Sequence, residues 1–216
     1  MNIKIREPGS ALTHLVAALL AAGASLPLLI KAGTEGGAFS VFAMFIFALS
    51  TILLFAASTT YHTVNLAPKF IKIFRKVDHM MIFVMIAGSY TPVCLLILPK
   101  KIGLTMLIAV WSIAIGGMIL KACWITCPKW FSSILYIAMG WICLGSIRPL
   151  WELLSRPAFL WLLAGGLIYT VGGIIYALKL GNFNSKHAFF SSHVIFHIFI
   201  MAGSLCHFIF MYSYVA

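Results

Sequence analysis

Long apolar runs separated by short polar links set the pattern of this chain. The runs cover about residues 11–31, 38–63, 77–98, 102–121, 130–149, 158–178 and 187–213, and each is close to the ~20 residues that a helix needs to cross a bilayer. The expected architecture is an all-α integral membrane protein, a seven-transmembrane helix bundle forming a single domain over residues 1–216. A Gly/Glu/Gly stretch from Gly33 to Gly37 joins the first two spans, and a polar turn from Gly181 to Lys186 precedes the last. Pro92 removes a backbone donor from the third span and is expected to kink it. In the sixth span, Gly165-Gly166 and Gly172-Gly173 recur seven residues apart, so a neighbouring helix is expected to approach closely on that face. Ala17 to Ser25 has the composition of a leader's apolar region with a small-residue cleavage site, but His14 interrupts it and six more runs follow. The segment is therefore expected to stay in place as the first span.

Composition sharpens this picture. With 62% hydrophobic and 9% charged residues, the chain is far from the roughly 25% charged of a soluble domain. A net charge of +11 would suggest nucleic acid in a soluble protein. Here the basic residues sit between apolar runs, so they set topology and meet anionic headgroups, and no nucleic-acid partner is expected. Lys4, Arg6, Lys69, Lys72, Arg75, Lys76, Lys121, Lys129, Lys179 and Lys186 fall on one side of the membrane. Lys31, Lys100, Lys101, Arg148 and Arg156 fall on the other, ten against five. The excess places the amino terminus in the cytoplasm and the carboxyl terminus outside, in a multi-pass protein of the inner or plasma membrane. The five cysteines are odd in number and lie mostly within apolar runs, which argues against a disulfide framework. Cys123 and Cys127, beside Lys121 and Lys129, are expected to be small buried thiols at a helix end rather than a second metal site.

The chemistry concentrates at the start of the last run. His193 and His197 are four apart, hence on one helix face about one turn of ~5.4 Å from each other. Ionisable side chains in an apolar span face the bundle interior or a water-filled cavity. The charge count then adds a third member: span 2 descends to the cytoplasmic side and ends at His62. Span 3 starts there with Asp78, the only aspartate, and Ser58 lies one turn deeper than His62. Three imidazoles leave a fourth tetrahedral position on zinc for water, whose pKa such an ion lowers to about 7. Asp78 is placed to take a proton from that water or orient it, and Ser58 to hydrogen-bond the water or an oxyanion.

A lone histidine in a span is more often a packing residue than a ligand. The i, i+4 pair weakens that reading, and a third imidazole at matching depth tips the balance to metal. The other histidines fit less well. His207 lies ten residues beyond His197, ~15 Å along the helix. His79 points about 100° away from Asp78 and is expected at the interface. His187 sits at the helix entrance, and His14, at suitable depth on span 1, is a candidate outer partner or spare ligand. Tyr61, Tyr90 and Tyr136 are read as packing residues.

With these residues placed, the chain resembles the hemolysin III family, the bacterial branch of the progestin and adipoQ receptor family, over nearly its whole length. The likeness rests on Ser58-x3-His62, Asp78-His79, Gly88-Ser89-Tyr90-Thr91-Pro92 and Ser192-His193-x3-His197. It implies seven helices with a cytoplasmic amino terminus and zinc held by His62, His193 and His197. It also implies similarity to the alkaline ceramidases, in which a serine, an aspartate and three histidines serve lipid amide hydrolysis. Ser58 and Asp78 match that arrangement. Only about ten residues precede span 1, so the receptors' large amino-terminal domain and their binding of a protein hormone are not carried over.

The first expectation is a zinc-dependent membrane hydrolase of a lipid amide or ester bond, with membrane lipids as partners and a role in lipid homeostasis. A non-enzymatic zinc-binding sensor or regulator is the second, with zinc tying spans 2 and 7 together. A channel or cytolysin is the third. It requires polar residues recurring from face to face, whereas apart from His207 they gather on the cytoplasmic side.

Overall fold

The computed structural model describes residues 5–178, 181–187 and 189–216, and every element in that part is helical. In order these are α1 (Pro8–Thr63), α2 (Pro68–Pro92), a π-helical turn (Val93–Ile97), α3 (Lys100–Cys123) and α4 (Lys129–Gly140). A 3-10 segment (Trp141–Ser146), α5 (Ile147–Leu153), α6 (Arg156–Leu178), α7 (Gly181–Lys186) and α8 (Ser192–Tyr214) follow. Among the described residues six helices are long and apolar enough to cross a membrane. Lys4 and Lys179 of the charge count lie outside the described residues.

Helix α1 holds 56 residues, which as one rod would reach ~84 Å at 1.5 Å per residue. Its ends nevertheless touch, for the Glu7 amide donates to the His62 carbonyl at 3.0 Å. The reversal occurs at Gly37, with φ 72° and ψ −169°, a region that only glycine occupies without strain. Two antiparallel limbs result, and the ring of His14 meets that of Phe55 across them. Gly37→Ala is expected to destabilise the protein by about 1–3 kcal/mol, read as a lower melting midpoint in detergent; an unchanged midpoint would count against the turn.

Prolines start several helices. Pro8 and Pro68 stand in first turns, where the missing N–H would have no partner anyway. Helix α2 thus begins at Pro68, and the basic link expected before residue 77 is part of the helix. Pro92 ends α2, and the chain widens into the π-helical turn. Helix α8 begins at Ser192 rather than 187, behind Ser191, whose hydroxyl accepts from the Val194 amide. Where α4 gives way to the 3-10 segment, the Tyr90 hydroxyl donates to the Gly140 carbonyl at 2.6 Å and accepts from the Cys143 amide at 3.0 Å. Backbone groups freed inside an apolar bundle are satisfied in this way.

The core joins α1, α2, α3 and α8 through Leu28, Met44, Phe47, Phe83, Val110 and Phe210. Outward positions are equally apolar: Leu19 and Ile108 are each 66% exposed, the surface that lipid covers. The glycine pairs of α6 divide. A Cβ on Gly165 would strike His207 of α8, and one on Gly172 would crowd Phe199; Gly166 faces open space and Gly173 meets Ile137 of α4.

Lys121, counted as a link residue, is buried, its ammonium donating to Cys127 Sγ at 3.0 Å and to Ser132 Oγ. Burial pushes the Cys127 thiol up, but hydrogen bonds involving Ser132 and Lys121 outweigh it and hold the thiol below its usual value. Cys123 departs from expectation: it is exposed at the end of α3, while Cys127 is buried.

Candidate metal centre

The last turn of α1 and the first two turns of α8 bring His62, His193 and His197 together. One ligand atom from each lies within 4.8 Å of the others, and the facing Nε2 atoms of His62 and His193 are 3.2 Å apart. Two nitrogens bound tetrahedrally at ~2.05 Å stand about 3.3 Å from each other, so this pair already has ligand spacing. Ring centroids are 4.5 Å apart for His193 and His197, and 5.1 Å for His62 and His197.

Hydrogen-bond partners favour one tautomer for each of two imidazoles. The Glu7 carboxylate accepts from His62 Nδ1 at 2.7 Å, and a carboxylate can only accept. Neutral His62 therefore carries its lone pair on Nε2, facing His193. Thr13 Oγ1 lies 3.0 Å from the Gly9 and Ser10 carbonyls and 3.2 Å from His197 Nδ1. With its one proton given to a carbonyl, the hydroxyl accepts from His197, whose lone pair is then on Nε2. His193 Nδ1 is buried with no hydrogen-bond partner. An apolar surround, two lone pairs directed inward and a third imidazole at ligand spacing fit a borderline-soft divalent cation such as zinc.

The hydrogen bond from His62 pulls the Glu7 carboxyl down to about 2 against the opposing effect of burial, with Arg6 adding to the shift. Arg6 reaches Glu7 Oε1 at 3.2 Å and lies over the Tyr61 ring at 4.1 Å.

Asp78 and Ser58 are both buried, Asp78 at 7% exposure. They line one cavity with His14, His193 and His197. Its volume is about 120 Å³, several times the ~10–15 Å³ that one water occupies on the same measure. Deeper in the bundle the walls are Ile82, Ile86, Trp141 and Tyr169, with His207 near the far end. The ring of His14 lies flat on His197, centroids 3.5 Å apart and planes 8° from parallel, and neither of its nitrogens has a partner.

His79 corrects the sequence reading. It is buried inside the bundle, Nε2 3.2 Å from the Tyr176 hydroxyl and Nδ1 3.4 Å from Asp78 Oδ2, the latter without hydrogen-bond geometry. Tyr136 donates to its carbonyl at 3.2 Å. The bundle buries α2 on both of these neighbouring faces, which the hydropathy of one helix does not reveal. Glu7 and Thr13 were also not singled out beforehand. Their signal was faint: one of four acidic residues immediately before the first span, and a threonine beside His14.

An all-helical bundle with a lipid-facing apolar exterior and a buried cluster of histidines defines a multi-pass protein of the cell membrane. The chain belongs to the hemolysin-III family, whose profile, described as "Haemolysin-III related", matches residues 3–208. It is 37% identical to the protein named Hemolysin-3 of Bacillus cereus, over 97% of this chain and 91% of that one. It is 35% identical to the Hemolysin-3 homolog of Bacillus subtilis (strain 168), over 92% and 89%. A more distant relative is the adiponectin receptor protein of Drosophila melanogaster, 22% identical over 94% of this chain and 49% of the receptor.

Proposed function

We propose that this protein is a zinc-dependent membrane hydrolase that cuts a lipid amide or ester bond and serves membrane lipid homeostasis. The observation that carries the reading is the placement of His62, His193 and His197 within 4.8 Å, with Asp78 and Ser58 on a cavity that His193 and His197 also line. A zinc ion held by the three histidines would supply Lewis-acid activation. Asp78 takes the proton of the attacking water and returns it to the leaving nitrogen or oxygen. The Ser58 hydroxyl donates to the carbonyl oxygen as negative charge develops there. Apolar walls at Ile82, Ile86 and Trp141 suit a lipid chain and keep bulk water out.

In the same reading the two limbs of α1 are separate passes. The single domain over residues 1–216 then crosses the membrane seven times, with the amino terminus cytoplasmic and the carboxyl terminus outside. The touching ends of α1 and the ten-to-five basic excess support this.

A sensor without turnover is the second reading, favoured by the likeness to a protein named as a receptor. Asp78→Asn separates the two. In a hydrolase the variant keeps its zinc and loses about 10²–10⁴-fold in turnover of ceramides or other lipid amides and esters. In a sensor the same change is nearly silent, whereas His62→Ala lowers the melting midpoint. Parallel assays of zinc content, melting and lipid turnover read the difference.

A further inference from the structure

The first turn of α1 contacts the histidine cluster from outside. Glu7 Oε2 accepts from His62 Nδ1 at 2.7 Å, on the ring edge opposite the nitrogen that faces His193. Its carboxylate is not free to choose another partner. The Glu7 amide is tied to the His62 carbonyl at 3.0 Å, and Arg6 holds the second carboxylate oxygen at 3.2 Å. Arg6 is itself laid over the ring of Tyr61, the residue before His62. Thr13, two turns further along, makes the equivalent contact with His197 Nδ1 at 3.2 Å. One short segment thus addresses the rear nitrogen of two of the three histidines.

We propose that Glu7 is a positioning residue for the metal centre: through His62 Nδ1 its carboxylate locks the tautomer and ring angle that present Nε2 to the ion. This rests on the zinc reading above. A charged acceptor behind a ligating imidazole raises the basicity of the ligating nitrogen and prevents the ring from flipping, and loss of such a partner typically weakens metal binding about 10–100-fold. Glu7 touches no cavity wall, and its side chain is 44% exposed. Its hydrogen bond into the cluster goes to His62.

The test is zinc affinity of the full-length protein in detergent, measured by chelator competition, together with the visible absorption of the cobalt-substituted form. Glu7→Ala is expected to bind zinc about 10–100-fold more weakly and to shift the cobalt bands. Glu7→Gln keeps an acceptor without the charge and is expected to fall between Ala and wild type, while Glu7→Asp is expected to recover part of the affinity. A merely structural clamp would lower melting without moving the cobalt bands. Wild-type affinity and unchanged cobalt bands in folded Ala and Gln variants would overturn the positioning role and leave the zinc reading intact. Wild-type protein that takes up neither metal would overturn both. If the Ala variant fails to fold, the near-isosteric Gln variant decides on the same two readouts.

Discussion

Detergent-purified protein is expected to carry about one zinc per chain, and His193→Ala/His197→Ala to carry none, since a site needs three or four protein ligands to hold the ion. The double change leaves His62 alone at the cluster. His14 is poorly placed to substitute, because it lies flat against the His197 ring instead of edge-on to the cluster. Element analysis of wild type and variant side by side reads the outcome. The zinc-free variant is also expected to show no lipid turnover. Wild-type protein that stays metal-free after zinc is offered would sink the hydrolase mechanism and leave three imidazoles as a polar cluster in need of another account.

Gly9→Val is expected to produce the second large effect. A Cβ at Gly9 would sit 2.2 Å from the Phe189 carbonyl oxygen and 3.0 Å from Val194 Cγ2. The obstacle is partly backbone, which cannot rotate aside, so the first turn of α1 must lift away from the entrance to α8. Overpacking of this kind costs about 1–3 kcal/mol. The turn that lifts lies between Glu7, the partner of His62, and Thr13, the partner of His197. Melting midpoint and zinc affinity should therefore fall together. Gly23→Ala, in the same helix with open space at its Cβ, serves as control and should be neutral or slightly stabilising. Equal behaviour of the two variants would show that the α1–α8 contact does not shape the cluster.

Much of the helical architecture was legible because lipid imposes a simple rule: a stretch near twenty apolar residues becomes a helix. The convergence of His62 with His193 and His197 was also legible, through periodicity within α8 and a charge count that matched depths between distant helices. Contacts that depend on how helices rotate against one another were not. His79 faces inward, where the hydroxyls of Tyr176 from α6 and Tyr136 from α4 reach its ring and its carbonyl. Lys121 joined the count of link residues, yet its ammonium ends among Cys127 and Ser132. Glu7 looked like an ordinary flanking charge, since nothing in a linear sequence says that the return limb of α1 ends beside it.

The same return limb fixes an order of assembly. Glu7 and His62 are 55 residues apart and meet as soon as the hairpin closes, but His62 and His193 are separated by 131. At roughly 5–20 residues per second of synthesis, His62 waits about 7–26 s for its distant partners. Until α8 is made, the Glu7–His62 half of the cluster has no His193 or His197 to meet, and a chain cut short before α8 never completes it. Completion of the histidine cluster thus has to await α8, so an assembled site reports that α8 has docked against the return limb of α1.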